Sequence, residues 1–271
     1  MPSEIVATSR AQAAGTPHAS LPMYDWPEVA EIWDRLWEVA QAELVAGGMD
    51  APAALTRHAD PQAAWSDPDL LIGQTCGWPF VSELHETVVP FARFDFGLSG
   101  PPGHYCSVFI AASAKAPAQL LRDDTVPIAV NDPGSQSGFR ALGECCERPT
   151  AVASGRIVLT GSHRESIRAV ADGRAGLAAI DAVSWRLALA HEPAARRVAM
   201  VGLSAPVPGL PLITARRRAE HAPALHAAIS AAVCKLAPED RSRIGLEGVA
   251  AASAGDYEVL KRPPLGWLSV A

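Results

Sequence analysis

Two serines two residues apart, Ser135 and Ser137, lie in the stretch Asn131-Asp132-Pro133-Gly134-Ser135-Gln136-Ser137-Gly138-Phe139-Arg140, and chemistry starts there. A hydroxyl at the start of a helix accepts from backbone amides that have no partner inside it. Such amides, with the positive end of the helix dipole, can hold an oxyanion without an arginine. The alternative reading is an ordinary capped helix after a strand. Ser162-His163-Arg164-Glu165 has the spacing of a capping box, so it offers a second helix start. His163 could donate to an anion, and a negative ligand would favour its protonated form. Asp181 is the informative acid. Facing a cleft it would repel an oxyanion, so the ligand would also carry an amine or a hydroxyl; as a mere helix cap it would say nothing. Tyr24 and Trp78 are aromatic at loop positions and suit either stacking on a ligand or burial.

These residues need elements to place them. Val126–Val130 is an apolar run of strand length before the serine loop, and Phe139 to Cys146 reads as a helix after it. Residues 19–24 read as a first strand, with Asp25 as cap, Pro27 in the first turn and Glu28 completing a capping box. The helix that follows has Val29, Ile32, Trp33, Leu36, Ala40 and Leu44 on one face and stops at Gly47-Gly48. The grammar repeats. Strands are expected at Leu70–Gln74, Val89–Leu98, Tyr105–Ala112, Arg156–Thr160, Leu177–Ile180 and Val198–Leu203. Helices are expected at Phe80–Val88, Ala116–Arg122, from Ser162 to Gly173, at Val183–His191 and from Pro223 to Leu236, where Pro238 stops the pattern, with an irregular tail over Asp256–Leu260 and Pro263-Pro264. Alternating strands and helices predict an α/β architecture with mostly parallel sheets. Ligands of such sheets sit beyond the carboxyl ends of the strands, where Tyr24, Thr75, Ser135, Ser137, Ser162, His163 and Asp181 all fall.

Composition narrows the partners. The chain has 271 residues, 49 % hydrophobic, with a net charge of −6, and no Lys/Arg stripe that could neutralise nucleic-acid phosphates. Arg216-Arg217-Arg218 is the basic cluster, expected on a solvated surface. No apolar run is long enough to span a bilayer. Residues 1–20 lack a basic segment followed by an apolar one, which predicts a cytoplasmic protein as written, or a periplasmic one if a leader has been removed. The five cysteines, including the neighbours Cys145 and Cys146, have no metal-ligand spacing and read as reduced thiols. Neither a nucleophile elbow, nor a His-Glu-x-x-His pair, nor a Gly-rich phosphate loop with its lysine occurs, and His58, His85, His104 and His163 are scattered. No cofactor or metal is expected.

The segments Ser20–Asp25, Val130–Gly138, Gly161-Ser162-His163 with its helix, Ala178–Val183 and Pro208-Gly209-Leu210-Pro211 appear in an order and spacing that resemble the phosphate/phosphonate-type substrate-binding proteins of ABC transporters. The resemblance implies a two-lobed type II periplasmic-binding-protein-like fold. Residues 1–18 would be a poorly ordered extension, 19–105 plus 205–271 one lobe, and 106–204 the second, joined by a two-segment hinge. It implies a small oxyanion clasped between lobes, held by the serine loop (Ser135, Gln136, Ser137) and Ser162-His163 on one side, with Tyr24, Thr75 and Trp78 facing them from the other; Asp181 would meet another part of the ligand. An ABC permease is then a possible partner. Enzymes of menaquinone or pyrimidine-precursor synthesis share the fold, and a ligand sensor would use the same cleft, so both remain as alternatives.

Overall fold

The computed structural model describes residues 15–58, 60–145, 150–152, 154–262 and 268–270. Most of the expected N-terminal extension, Cys146 and the Pro263-Pro264 pair lie outside them. Two five-stranded sheets carry the structure. Across the first run His18–Ser20, Leu70–Gln74, Pro211–Ala215, Val88–Asp95 and Gly248–Ala251; across the second run Ala199–Leu203, Ser107–Ala111, Leu177–Asp181, Ile128–Val130 and Ile157–Leu159. Leu70–Gln74 and Leu177–Asp181 are buried at every residue, as continuous apolar strands covered on both faces should be.

Strand direction departs from the mostly parallel expectation. His18–Ser20 runs parallel to Leu70–Gln74, and Ile128–Val130 parallel to both its neighbours. Ser107–Ala111 and Pro211–Ala215 are antiparallel to the strands on either side of them. The reason is topological: each of these two strands begins where the chain has just passed from one sheet to the other, so it runs back into its sheet. The two passages are adjacent. His104–Tyr105 pairs antiparallel with Val207–Pro208, the Gly209 amide donates to the Gly103 carbonyl at 2.8 Å, and the Ser107 amide donates to Ser204 Oγ at 2.8 Å.

In the first body the helix Ala30–Ala46 buries Ile32, Trp33, Leu36, Trp37, Ala40 and Leu44 against the helix Ala222–Lys235 and the sheet. Trp33 Nε1 donates to the Tyr24 carbonyl at 3.0 Å, which fixes the segment that carries Tyr24. That segment is not strand throughout. The strand ends at Ser20 and Pro22–Tyr24 is a 3-10 turn, because Pro22 has no amide to continue a ladder. Asp25 does not cap the helix, which begins at Ala30 without a side-chain cap. Its carboxylate instead takes Arg57 in a bidentate pair at 2.6 and 3.2 Å, a stronger partner than a backbone amide.

Other departures are local. The segment after Trp78 is π-helical over Phe80–Leu84. After the serine loop, Arg140–Cys145 is a 3-10 helix rather than an α-helix. Ser135 and Gln136 accept from Arg140 and Ala141, five residues on, which spoils α-helical phasing. The tail after Pro238 is ordered: helix Pro238–Ile244, closed by Gly245 at φ +67°, then strand Gly248–Ala251 and the 3-10 helix Ala254–Lys261 with a Ser253/Asp256 capping box. Pro238 at the start, Glu239 and Asp240 in the first turn and Gly245 at the end are the signals that specify that helix. The Arg216–Arg218 cluster is not simply solvated, since Arg216 donates to the Glu86 carbonyl at 2.6 Å and Arg217 to that of Pro68. No helix among the described residues is long and apolar enough to cross a membrane.

Candidate functional site

The serine loop is built by its own side chains. The Asp132 carboxylate accepts from the Gly134 amide at 2.6 Å, the Asp132 carbonyl from Ser135 N, and Ser135 Oγ from the Gly138 amide at 2.9 Å. The Gln136 amide points to Cys76 Sγ at 3.4 Å, across to the first body. These amides are therefore engaged within the protein, and what the loop can offer a ligand is hydroxyls. The second helix start differs. Ser162 Oγ accepts from Glu165 N at 3.1 Å as a half capping box, with Glu165 turned to Arg168. The amides of His163 and Arg164, first in the helix His163–Ala171, have no acceptor inside it.

Ser137 Oγ lies 2.9 Å from His163 Nε2 and 3.5 Å from Ser135 Oγ, so the two helix starts meet. Burial holds the His163 imidazole down at about 4, only partly offset by the Ala179 carbonyl, so the ring is neutral at pH 7. The protonated donor considered from the sequence is thus disfavoured before any anion arrives. Asp181, 2 % exposed, does both things envisaged for it. One oxygen caps the helix Ala182–His191 through the Val183 and Ser184 amides at 2.8 and 3.1 Å, and the other accepts from Tyr24 Oη at 2.9 Å across the two bodies. Burial lifts its carboxyl to about 6, although the Ser184 amide, the Tyr24 hydroxyl and the Val183 amide all favour the ionised form.

Tyr24, Ser135, Ser137, Ser162, His163 and Asp181 line one cleft of about 600 Å³ between the two sheets. The other three expected residues lie behind or beside its wall. Thr75 is fully buried, its amide tied to the Pro211 carbonyl. Trp78 is half-buried under the Arg140 guanidinium, 3.4 Å from its ring centroid. Gln136 is buried at the contact with Cys76.

Residues absent from the sequence reading also gather here. Tyr105, 3 % exposed, lies behind the wall with its hydroxyl beside Ser137. Cys76, Trp26 and Arg164 line the cleft. Arg164 links the bodies, reaching Glu28 and Glu192 at 2.8 Å each while lying 4.7 Å over the Trp26 ring. Although burial raises the Glu192 carboxyl, Arg164, the Ala194 amide and Arg168 together hold it at about 2. No local motif announces any of these; they are brought together by contacts far apart in the chain, such as Arg164 with Glu28 and Cys76 with Gln136. Among the described residues there is no group of His, Cys, Asp or Glu that could hold a metal ion.

A family model described as ABC transporter, phosphonate, periplasmic substrate-binding protein matches residues 69–257, well over half of the chain. The chain belongs to this family. Its two sheets flanked by helices are the type II binding-protein fold implied by the sequence resemblance. A binding protein component of an ABC phosphonate transporter from Pseudomonas aeruginosa superposes with a TM-score of 0.69 at 14 % identity, covering 91 % of this chain and 85 % of that one. A Prochlorococcus marinus protein in complex with methylphosphonate gives 0.67 at 13 %, covering 91 % and 96 %. A Xanthomonas citri protein bound to ATP gives 0.68 at 14 %, covering 93 % and 97 %. No curated protein matches the chain. The phosphonate-type substrate-binding proteins are a periplasmic family of transport components, not of enzymes, and this chain is one of them.

Proposed function

We propose that the chain clasps one small oxyanion, a phosphonate, phosphate or related anion, in the cleft between a lobe of residues 19–105 plus 205–271 and a lobe of residues 106–204. In this reading it delivers the ligand to an ABC permease on the periplasmic side and turns nothing over. The observation that carries the reading is the convergence of Ser135, Ser137, His163 and the Ser162 helix start from one sheet with Tyr24 from the other on a single cleft. Ser137 Oγ and Nε2 of the neutral His163 ring share one hydrogen bond, whose donor depends on the tautomer, and both residues line the cleft where the anion would sit. Both Asp181 oxygens are engaged within the protein, one by the Val183 and Ser184 amides and one by the Tyr24 hydroxyl, so this acid requires no hydroxyl or amine on the ligand. Hinge bending about the paired passages would close the lobes.

Binding to the native state alone stabilises it by mass action. A thermal-shift screen of phosphonates, phosphate, sulfonates and carboxylates is expected to raise the melting temperature with at least one phosphorus oxyanion. The absence of any shift at millimolar concentration overturns the reading. For the anion that binds, Ser137→Ala is expected to weaken affinity by about 1–2 kcal/mol, the scale of one charge-assisted hydrogen bond. Calorimetry showing equal affinity removes Ser137 from the site.

A further inference from the structure

We propose that the ligand is an organic phosphonate or phosphate monoester bearing an uncharged apolar or aromatic substituent, and that Trp26 and Trp65 wall the space the substituent fills. The proposal rests on the oxyanion reading above and adds the substrate class to it.

Space is the first ground. The cleft is about 600 Å³ before any closure of the lobes, which leaves room beside an oxyanion for a substituent. Cavities of this size accommodate drug-sized molecules. The second ground is the wall. The groups able to hold an oxyanion are joined to one another by hydrogen bonds, Ser135 to Ser137 to His163. Much of the remaining lining comes from Pro22, Met23, Trp26, Pro27, Pro61 and Trp65. Apolar area facing a ligand contributes affinity in proportion to what it buries, and indole rings favour flat partners.

Charge is the third ground, and it excludes a second anionic group. Asp25, Asp60, Asp132 and Asp181 line the cleft; Asp25 is paired with Arg57, and Arg164 is the one arginine among the described lining residues. That arginine is already shared by Glu28 and Glu192. A di- or triphosphate would bring further negative charge into this lining with no cation left to meet it. One oxyanion head and an uncharged tail is the composition the cleft matches.

Calorimetry on the full chain with phenylphosphonate, methylphosphonate and inorganic phosphate tests this. Phenylphosphonate is expected to bind at least tenfold more tightly than methylphosphonate, and Trp26→Ala is expected to narrow that ratio to about threefold or less. If the two phosphonates bind the wild type equally, the substituent site is wrong while the oxyanion reading stands. If none of the three anions binds, both fall together. A phenyl preference that survives undiminished in Trp26→Ala overturns the assignment of that wall, provided the variant keeps a cooperative melt near that of the wild type.

Discussion

At pH 8 the Asp181→Asn protein is expected to melt several degrees above the wild type, with the gain fading by pH 4. Asp181 is buried, and its carboxyl is lifted to about 6 from an ordinary value near 3.8. The native state therefore holds this proton more tightly than the unfolded chain does. Its contribution to stability is fully present below about pH 4 and is lost as the pH rises through about 6. Roughly two pKa units correspond to a cost on the order of 2–3 kcal/mol for the ionised group at pH 8. Asparagine keeps an oxygen for the Val183 and Ser184 amides and an amide facing Tyr24, but carries no charge to desolvate. At about 2–4 °C per kcal/mol the melting temperature should rise by roughly 5–10 °C.

His163 works in the opposite sense. Its folded value of about 4 lies below the ordinary 6.5, so its contribution is lost as the pH falls from about 6.5 to 4. In the wild type the two terms oppose each other between pH 4 and 6. In Asp181→Asn only the histidine term is left, and the stability profile should fall more steeply on the acid side. Thermal melts of both proteins at pH 4.5, 6 and 8 check this. A difference in melting temperature that is absent, reversed or independent of pH would show that Asp181 is not held as described. A carboxylate that weakens the fold at neutral pH, set in a cleft, is the kind of group expected at a working site.

Gly209→Ala is expected to destabilise the protein by about 1–3 kcal/mol, the scale of forced overpacking. A Cβ there would stand 2.5 Å from the Gly103 carbonyl oxygen and 3.8 Å from that of Phe94. Both are backbone atoms, so neither can rotate aside, and the Gly103 carbonyl also accepts from the Gly209 amide itself. Gly103 has φ +72°, which holds that carbonyl in a turn where other residues fit poorly. The damage would fall on the paired passages between the sheets. Gly155→Ala, where a Cβ meets nothing within 4 Å, serves as the comparison. Denaturant unfolding that places Gly209→Ala and Gly155→Ala at the same midpoint would mean the passages pack more loosely than the structure has them.

The parts of this architecture legible from sequence are those set by neighbours in the chain. Apolar runs flanked by caps locate the strands Leu70–Gln74 and Leu177–Asp181 and the helix starting at His163, because periodicity and capping are local. Ser162 and Asp181 behave as caps for the same reason. Asp25 shows the limit: its capping spacing is genuine, yet Arg57, far along the chain, takes the carboxylate instead. Strand direction at Ser107–Ala111 and Pro211–Ala215 depends on where the chain passes between sheets, which no window of sequence contains. Arg164 lines the cleft only because the two bodies meet there, where it reaches Glu28 as well as Glu192. Their position after a strand predicts Thr75 and Trp78 near the cleft, but main-chain pairing holds Thr75 and Arg140 covers Trp78.

The strand Leu268–Val270 pairs in parallel with Thr150–Val152, so the end of a chain that has returned to the first body reaches back to the second. Two adjacent passages alone make a door on one pin, free to swing as wide as solvent allows. A third strap fastened away from the pin acts as a doorstop. It limits how far the halves can part unless those three residue pairs let go, and it thereby couples the width of the opening to the grip of the last few residues.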